Sequence, residues 1–192
     1  NGGGKSGKGL ELSDTNTTSS NSPRITTSRT IKESTSGSVM MDIKPAQTNA
    51  PLNLALTGAK NDFISLSLTK TGTIEAIDST QSPQNIQIGT ATYKANEWSA
   101  LQIDWDGTAK TFNVLINGTK INAQPLPYSY LDRAAGATSF TINAGYGAST
   151  FNLDNVVYPG CVTSLGLTVN PTSGVVPLAV TASVTLPARS LL

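Results

Sequence analysis

Histidine is missing from the 192-residue chain, and cysteine occurs once, at Cys161. The first absence removes His-assisted nucleophiles and His-ligated zinc. The second rules out an internal disulfide. Charge is scarce: Asp, Glu, Lys and Arg make up 13%, with 13 cations against 12 anions and a net charge of +1. So even a balance excludes a general binder of nucleic acid or of membrane surfaces, which would need a basic field. No run approaches the roughly 20 apolar residues of a membrane-spanning helix. No ten-residue window has the i, i+3, i+4 apolar spacing of an amphipathic helix. No signal peptide is visible, and the opening Asn1-Gly2-Gly3-Gly4 reads as an excised piece of a longer protein.

The chain is rich instead in Ser, Thr, Asn and Gly, which favour strand faces and turns over helices. Its organising stretch runs from Trp98 to Ile121. Leu101, Ile103 and Trp105 alternate with Gln102, Asp104 and Asp106, and Phe112, Val114 and Ile116 alternate with Thr111, Asn113 and Asn117. Period-two alternation in two adjacent runs predicts two half-buried strands. Asp106-Gly107 joins them, and Asn117-Gly118 turns the chain into a third, because both residues tolerate positive φ. The apolar face of this meander requires a second sheet to cover it.

Further strands are expected over Gly9–Ser13, weakly over Arg24–Lys32 at a sheet edge, and over Ser38–Lys44. Others are expected around Leu52/Leu54/Leu56, Ile64/Leu66/Leu68, Thr73–Asp78, Ile86/Ile88, Thr138–Asn143 and Phe151–Val157. About a dozen strands with short turns define an all-β fold, a two-sheet antiparallel β-sandwich or jelly roll. Leu54, Leu66, Ile103, Trp105, Val114, Phe140 and Ile142 are the expected core. Residues 1–8 read as a mobile Gly/Lys leader and 9–158 as the sandwich domain. Residues 159–192 read as a linker followed by the first two strands of an unfinished second module.

Two stretches carry a family likeness. Glu97-Trp98 through Asn117-Gly118, together with the closing Phe151-Asn152-Leu153-Asp154-Asn155-Val156-Val157, resembles laminin-G-like and concanavalin-A-like jelly-roll carbohydrate-binding modules. Asn170-Pro171-Thr172-Ser173-Gly174 with Val176-Pro177-Leu178 resembles the opening of a polycystic-kidney-disease (PKD) type module, a spacer in secreted polysaccharide-degrading proteins. The resemblance implies a secreted, non-catalytic carbohydrate-binding module, monomeric within a multi-domain chain. Its partner would be a polysaccharide, to which it would target a parent polysaccharide-degrading enzyme. The alternatives are a structural or adhesive sandwich of a bacterial surface protein, and a small polysaccharide lyase or hydrolase.

The resemblance makes Asp154 the leading ligand for a structural Ca²⁺. Asp14 and Asn16 in the first loop supply oxygen side chains at alternate positions, as calcium loops do. The plainer reading has Asp14 and Asn16 capping turns and Asp154 accepting backbone hydrogen bonds. For sugar binding, aromatic faces and planar polar groups are sought. Tyr128, Tyr130 and Arg133 fall together in the long Pro-rich stretch after Gln124, Tyr146 lies between glycines, and Trp98 sits opposite the core face. The same tyrosines would otherwise simply cover the end of the sandwich. Asp104 and Asp106 are the only carboxylates spaced as a hydrolase pair, but Asp106 precedes a glycine, where it favours the turn backbone.

Overall fold

The computed structural model describes residues 3–14, 24–26, 31–32, 36–46, 51–57, 62–78, 82–129, 137–144, 149–157, 166–170 and 181–185. The chain divides into two compact units, Asn1–Pro159 and Gly160–Leu192. In chain order the first unit contains β1 (Gly3–Gly4), β2 (Gly7–Lys8), β3 (Leu10–Asp14), β4 (Arg24–Thr26), β5 (Ile31–Lys32), β6 (Gly37–Pro45), β7 (Leu52–Thr57) and β8 (Asp62–Leu68). It continues with β9 (Thr73–Ile77), β10 (Asn85–Thr92), β11 (Ser99–Asp106), β12 (Thr111–Ile116), β13 (Thr119–Lys120), β14 (Leu126–Pro127), β15 (Ala137–Ala144) and β16 (Ser149–Val157). The second unit contributes β17 (Gly166–Asn170) and β18 (Thr181–Thr185), an antiparallel pair.

The first unit is the expected all-β sandwich. One sheet runs β10-β9-β8-β7-β15-β4, with β5 also on β15; the other runs β13-β12-β11-β6-β16-β3, with β14 on β12. The alternation read from the sequence sets which face of each strand is inside. In β11 Leu101, Ile103 and Trp105 are buried, and Phe112, Val114 and Ile116 of β12 join them. From the other sheet, Leu52, Leu54, Leu56, Ile64, Leu66, Leu68 and Ile142 complete one core. Of the expected core residues, Phe140 alone has a side chain outside the described residues. The weakly alternating Arg24–Lys32 stretch supplies two short strands, both paired with β15.

Two local devices shape the layers. Asn117 and Gly118 both adopt positive φ, 50° and 78°, so the Asn-Gly hairpin forms as its chemistry dictates. In β8, Leu56 pairs with Ile64 but Thr57 pairs with Asp62, leaving Phe63 as the extra residue of a bulge. The bulge lets Phe63 and Ile64 both be buried despite being consecutive. Residues 3–8, read from the sequence as a mobile leader, instead form the β1–β2 hairpin. Its Lys5 reaches Asp42, and the Ser6 N–H donates to Asp154.

Candidate functional site

The outer face of the β10-β9-β8-β7-β15 sheet follows from strands that alternate leucine or isoleucine with small polar residues. In β7, leucines fill the inner positions and Asn53, Ala55 and Thr57 the outer ones. In β8, Ser65 and Ser67 lie between Ile64, Leu66 and Leu68; in β9, Thr73, Glu75 and Ile77 flank Ile74 and Ala76. Cross-strand partners share a face, so the register assembles these residues into rows. Gln87 pairs with Glu75, Glu75 with Ser67, Ser67 with Asn53, Asn53 with Asn143, and Asn143 with Arg24. This row crosses six strands and, at ~4.8 Å per strand, spans about 24 Å. The backbone register alone places its last two positions.

The middle of the row is hollow. Ser65, Ser67 and Ala55 are too short to fill the space between Asn53 and Thr141 on one side and Glu75, Ile77 and Asn85 on the other, which leaves a groove of about 330 Å³. Its lining combines amide, hydroxyl and carboxylate groups with the small apolar surfaces of Ala55 and Ile77. Among the described lining residues Glu75 is the one charged side chain. Groups of this kind accept from and donate to ligand hydroxyls over an apolar floor.

The structure redistributes the residues singled out from the sequence. Tyr128 is a correction: it is 4% exposed, its ring centroid lies 5.0 Å from that of Phe63, and its hydroxyl donates to the Asp106 carbonyl at 3.2 Å. The cause is local pairing. Leu126–Pro127 joins β12, the Tyr128 N–H donates to the Lys110 carbonyl, and the Ser129 N–H donates to the Phe63 carbonyl. The segment therefore ties the edge of one sheet to the other, and Tyr128 plugs the end of the core, as the covering alternative held. Tyr130, Arg133 and Tyr146 lie outside the described residues. Trp98 is half-buried with the Lys44 ammonium 5.4 Å above its ring. One side of its indole is thus occupied, and it is not among the groove residues.

The expected calcium ligands do not assemble into one site. The first and last strands do pair, but the register sets Asp14 opposite Ser149 and Leu10 opposite Leu153. Asp14 therefore stands five residues along the strand from the level of Asp154, about 17 Å at ~3.4 Å per residue, too far to share one cation. Asn16 lies outside the described residues. The Asp154 carboxylate accepts the Ser6 N–H at 3.0 Å and the Asn155 N–H at 2.8 Å, and these hold its pKa below the usual carboxylate range. Among the described residues no three acidic, histidine or cysteine side chains gather as a metal cluster.

Asp104 and Asp106 are not poised as an acid–base pair. Both oxygens of Asp104 accept from Gln102 Nε2, at 2.8 and 2.9 Å. Asp106 caps its turn by accepting the Thr108 and Ala109 N–H groups, which lower its pKa. Among the described residues no aromatic side chain or long loop marks the groove in the sequence. Its signal was present in the paired runs Leu52-Asn53-Leu54-Ala55 and Ile64-Ser65-Leu66-Ser67, whose outward positions are all small or polar.

No family model matches the chain, and no curated protein matches it. Solved structures do. A sialidase superposes with TM-score 0.61 at 12% identity over 78% of this chain, which spans only 15% of that protein's length. An endo-β-1,4-glucuronan lyase from the fungus Trichoderma reesei gives 0.58 at 11%, covering 79% of this chain and 81% of the lyase. A tetrameric galectin from the sponge Cinachyrella gives 0.51 at 14%, covering 70% and 98%. At such identities the likeness shows a shared jelly-roll fold.

Proposed function

We propose that the first unit is a non-catalytic carbohydrate-binding module whose ligand lies along the Gln87–Glu75–Ser67–Asn53 row, and that it keeps a parent polysaccharide-degrading enzyme near its substrate. The groove across the row carries the reading. Successive pyranose rings of an extended glycan repeat at a spacing comparable to that of neighbouring strands, so each strand presents one polar side chain to each ring. The names of the neighbours, a sialidase, a glucuronan lyase and a galectin, supply a carbohydrate context by analogy of fold. Glycoside hydrolysis uses two facing carboxylates; the described groove lining offers one, Glu75, which favours binding over hydrolysis. The benefit of such a module is the effective concentration that tethering provides. The PKD-like stretch after Asn170 and secretion of the whole protein belong to the same proposal.

The test is affinity electrophoresis and calorimetry of the full chain against a panel of polysaccharides. Binding is expected in the range of about 10 µM to 1 mM, roughly −4 to −7 kcal/mol. Ser67→Trp, which fills the groove floor, should weaken it at least tenfold with the melting temperature preserved. Equal binding by wild type and Ser67→Trp would move the site elsewhere. No binding to any glycan would leave the structural or adhesive alternative.

A further inference from the structure

We infer that Glu75 makes the groove selective for uncharged glycans over uronate-containing ones of the same backbone; this rests on the glycan-binding reading above. Glu75 stands between Gln87 and Ser67 in the row, on its second strand, β9. It is half-buried and projects from the outer face of β9 beside the notch over Ser67. A glycan lying along the row passes it at contact distance.

Two consequences follow. Toward a neutral sugar the carboxylate is an acceptor for ring hydroxyls, and charge-assisted hydrogen bonds are about twice as strong as neutral ones. Toward a uronate it is a like charge in a partly desolvated trough, where screening is weaker than in open water. An acidic-glycan site would place a cation there to offset the ligand's charge. The described lining has none: Asn53, Ser65, Ser67, Asn85 and Thr141 are all uncharged. The cation on the same row, Arg24, stands four strands from Glu75. At ~4.8 Å per strand this puts about 19 Å between the two backbones. Among the described lining residues, charge is therefore carried by Glu75 alone.

The experiment compares each neutral polysaccharide that binds with the same polymer after oxidation of its C6 hydroxyls to carboxylates, so that backbone and linkage stay fixed. With the full chain at neutral pH, the neutral form should bind at least about tenfold more tightly, a factor worth about 1.4 kcal/mol. Glu75→Gln keeps the size of the side chain and removes its charge. It should weaken neutral-glycan binding about three- to tenfold, from the loss of charge assistance, and strengthen binding of the oxidised form. The two affinities should then lie within about threefold of each other. Raising salt should improve binding of the oxidised polymer to wild type and leave Glu75→Gln unchanged. Wild type that binds both forms equally, or prefers the oxidised one, overturns the inference while leaving the groove in place. So does a preference that persists in Glu75→Gln. If wild type binds neither form, or if Ser67→Trp binds as well as wild type, the groove reading falls and the inference with it.

Discussion

The two outward faces of the sandwich are built from the same alternation, yet they are finished differently. On the β6-β11-β12-β16 face most of the polar groups are taken up by the chain itself, the buried Ser38 hydroxyl being the exception without a partner among the described residues. Lys5 pairs with Asp42 at 3.0 Å, and Asn155 Nδ2 donates to the other oxygen of Asp42 at 2.7 Å. Ser6 donates to Asp154, Gln102 to Asp104, Asn122 to Asn113, and Lys44 covers Trp98. On the β7-β8-β9 face, no hydrogen bond holds the Asn53, Ser67 or Glu75 side chains among the described residues. The first pattern is that of groups whose hydrogen-bonding need is met within the protein. The second leaves donors and acceptors facing solvent in a hollow. The comparison teaches that the position of carboxylates in the sequence says little about function. What matters is whether the fold supplies their partners.

The sharpest test of this division is Tyr128, which the structure assigns to the core and the sequence to a binding loop. Tyr128→Ala removes a ring packed on Phe63. By analogy with buried Phe or Trp truncation it should cost about 3–5 kcal/mol of stability, read by denaturant unfolding. The folded fraction should still bind glycan as wild type does. A stable variant that fails to bind would restore Tyr128 to the site.

Next comes Gly37→Ala. A Cβ at Gly37 would sit 2.5 Å from Trp105 Cζ2, and Gly37 pairs directly with the buried Trp105 on the neighbouring strand. Overpacking of this kind costs about 1–3 kcal/mol. The matched change on the other face, Ser67→Ala, should stay within about 0.5 kcal/mol, because the hollow has room. Equal costs for the two would erase the contrast between a closed face and an open one. Lys5→Ala should be milder still. Its partner Asp42 is mostly buried but Lys5 is about half exposed, and exposed pairs contribute about 0–1 kcal/mol. Amide exchange should speed up in residues 3–8 and remain unchanged in β7–β9.

Much of the fold was legible because period-two alternation states directly which side of a strand is buried. The Leu101/Ile103/Trp105 and Phe112/Val114/Ile116 runs needed no tertiary information, and Asn117-Gly118 named its own turn. Tyr128 was not legible, because its burial depends on Leu126–Pro127 pairing with β12, a contact of two residues with no periodic signal. Nor was the register of β3 against β16, which separates Asp14 from Asp154: both residues are visible in the sequence, but their alignment is set by pairing across the sheet. The row through Glu75 and Ser67 was half-legible. Its residue types show in the sequence, but their alignment across six strands belongs to the sheet.

The smallest expected effect concerns Asp154, and it separates an anchoring role from a metal-binding one. Its carboxylate accepts the Ser6 N–H and then the Asn155 N–H, and both lower its pKa in the folded protein. A depressed folded pKa means that the interaction contributes fully above the unfolded value near 3.9. The contribution is lost as pH falls through the folded pKa. Stability should therefore be insensitive to this group from pH 7 to about 5, and should decline on further acidification as the hairpin of residues 3–8 is released. Asp154→Asn should flatten that decline, since the amide cannot titrate. Asp106 is likewise lowered, by the N–H groups of Ala109 and Thr108, so Asp106→Asn serves as the control, and only Asp154→Asn should alter exchange at Ser6. If Asp154 anchors the hairpin alone, Asp154→Ala lowers the melting temperature by the same small amount in excess Ca²⁺ and in chelator. A loss that appears in Ca²⁺ and vanishes in chelator would make Asp154 a ligand, because a cation bound to the folded state raises the melting temperature by mass action. Its other ligands would then have to be sought away from Asp14.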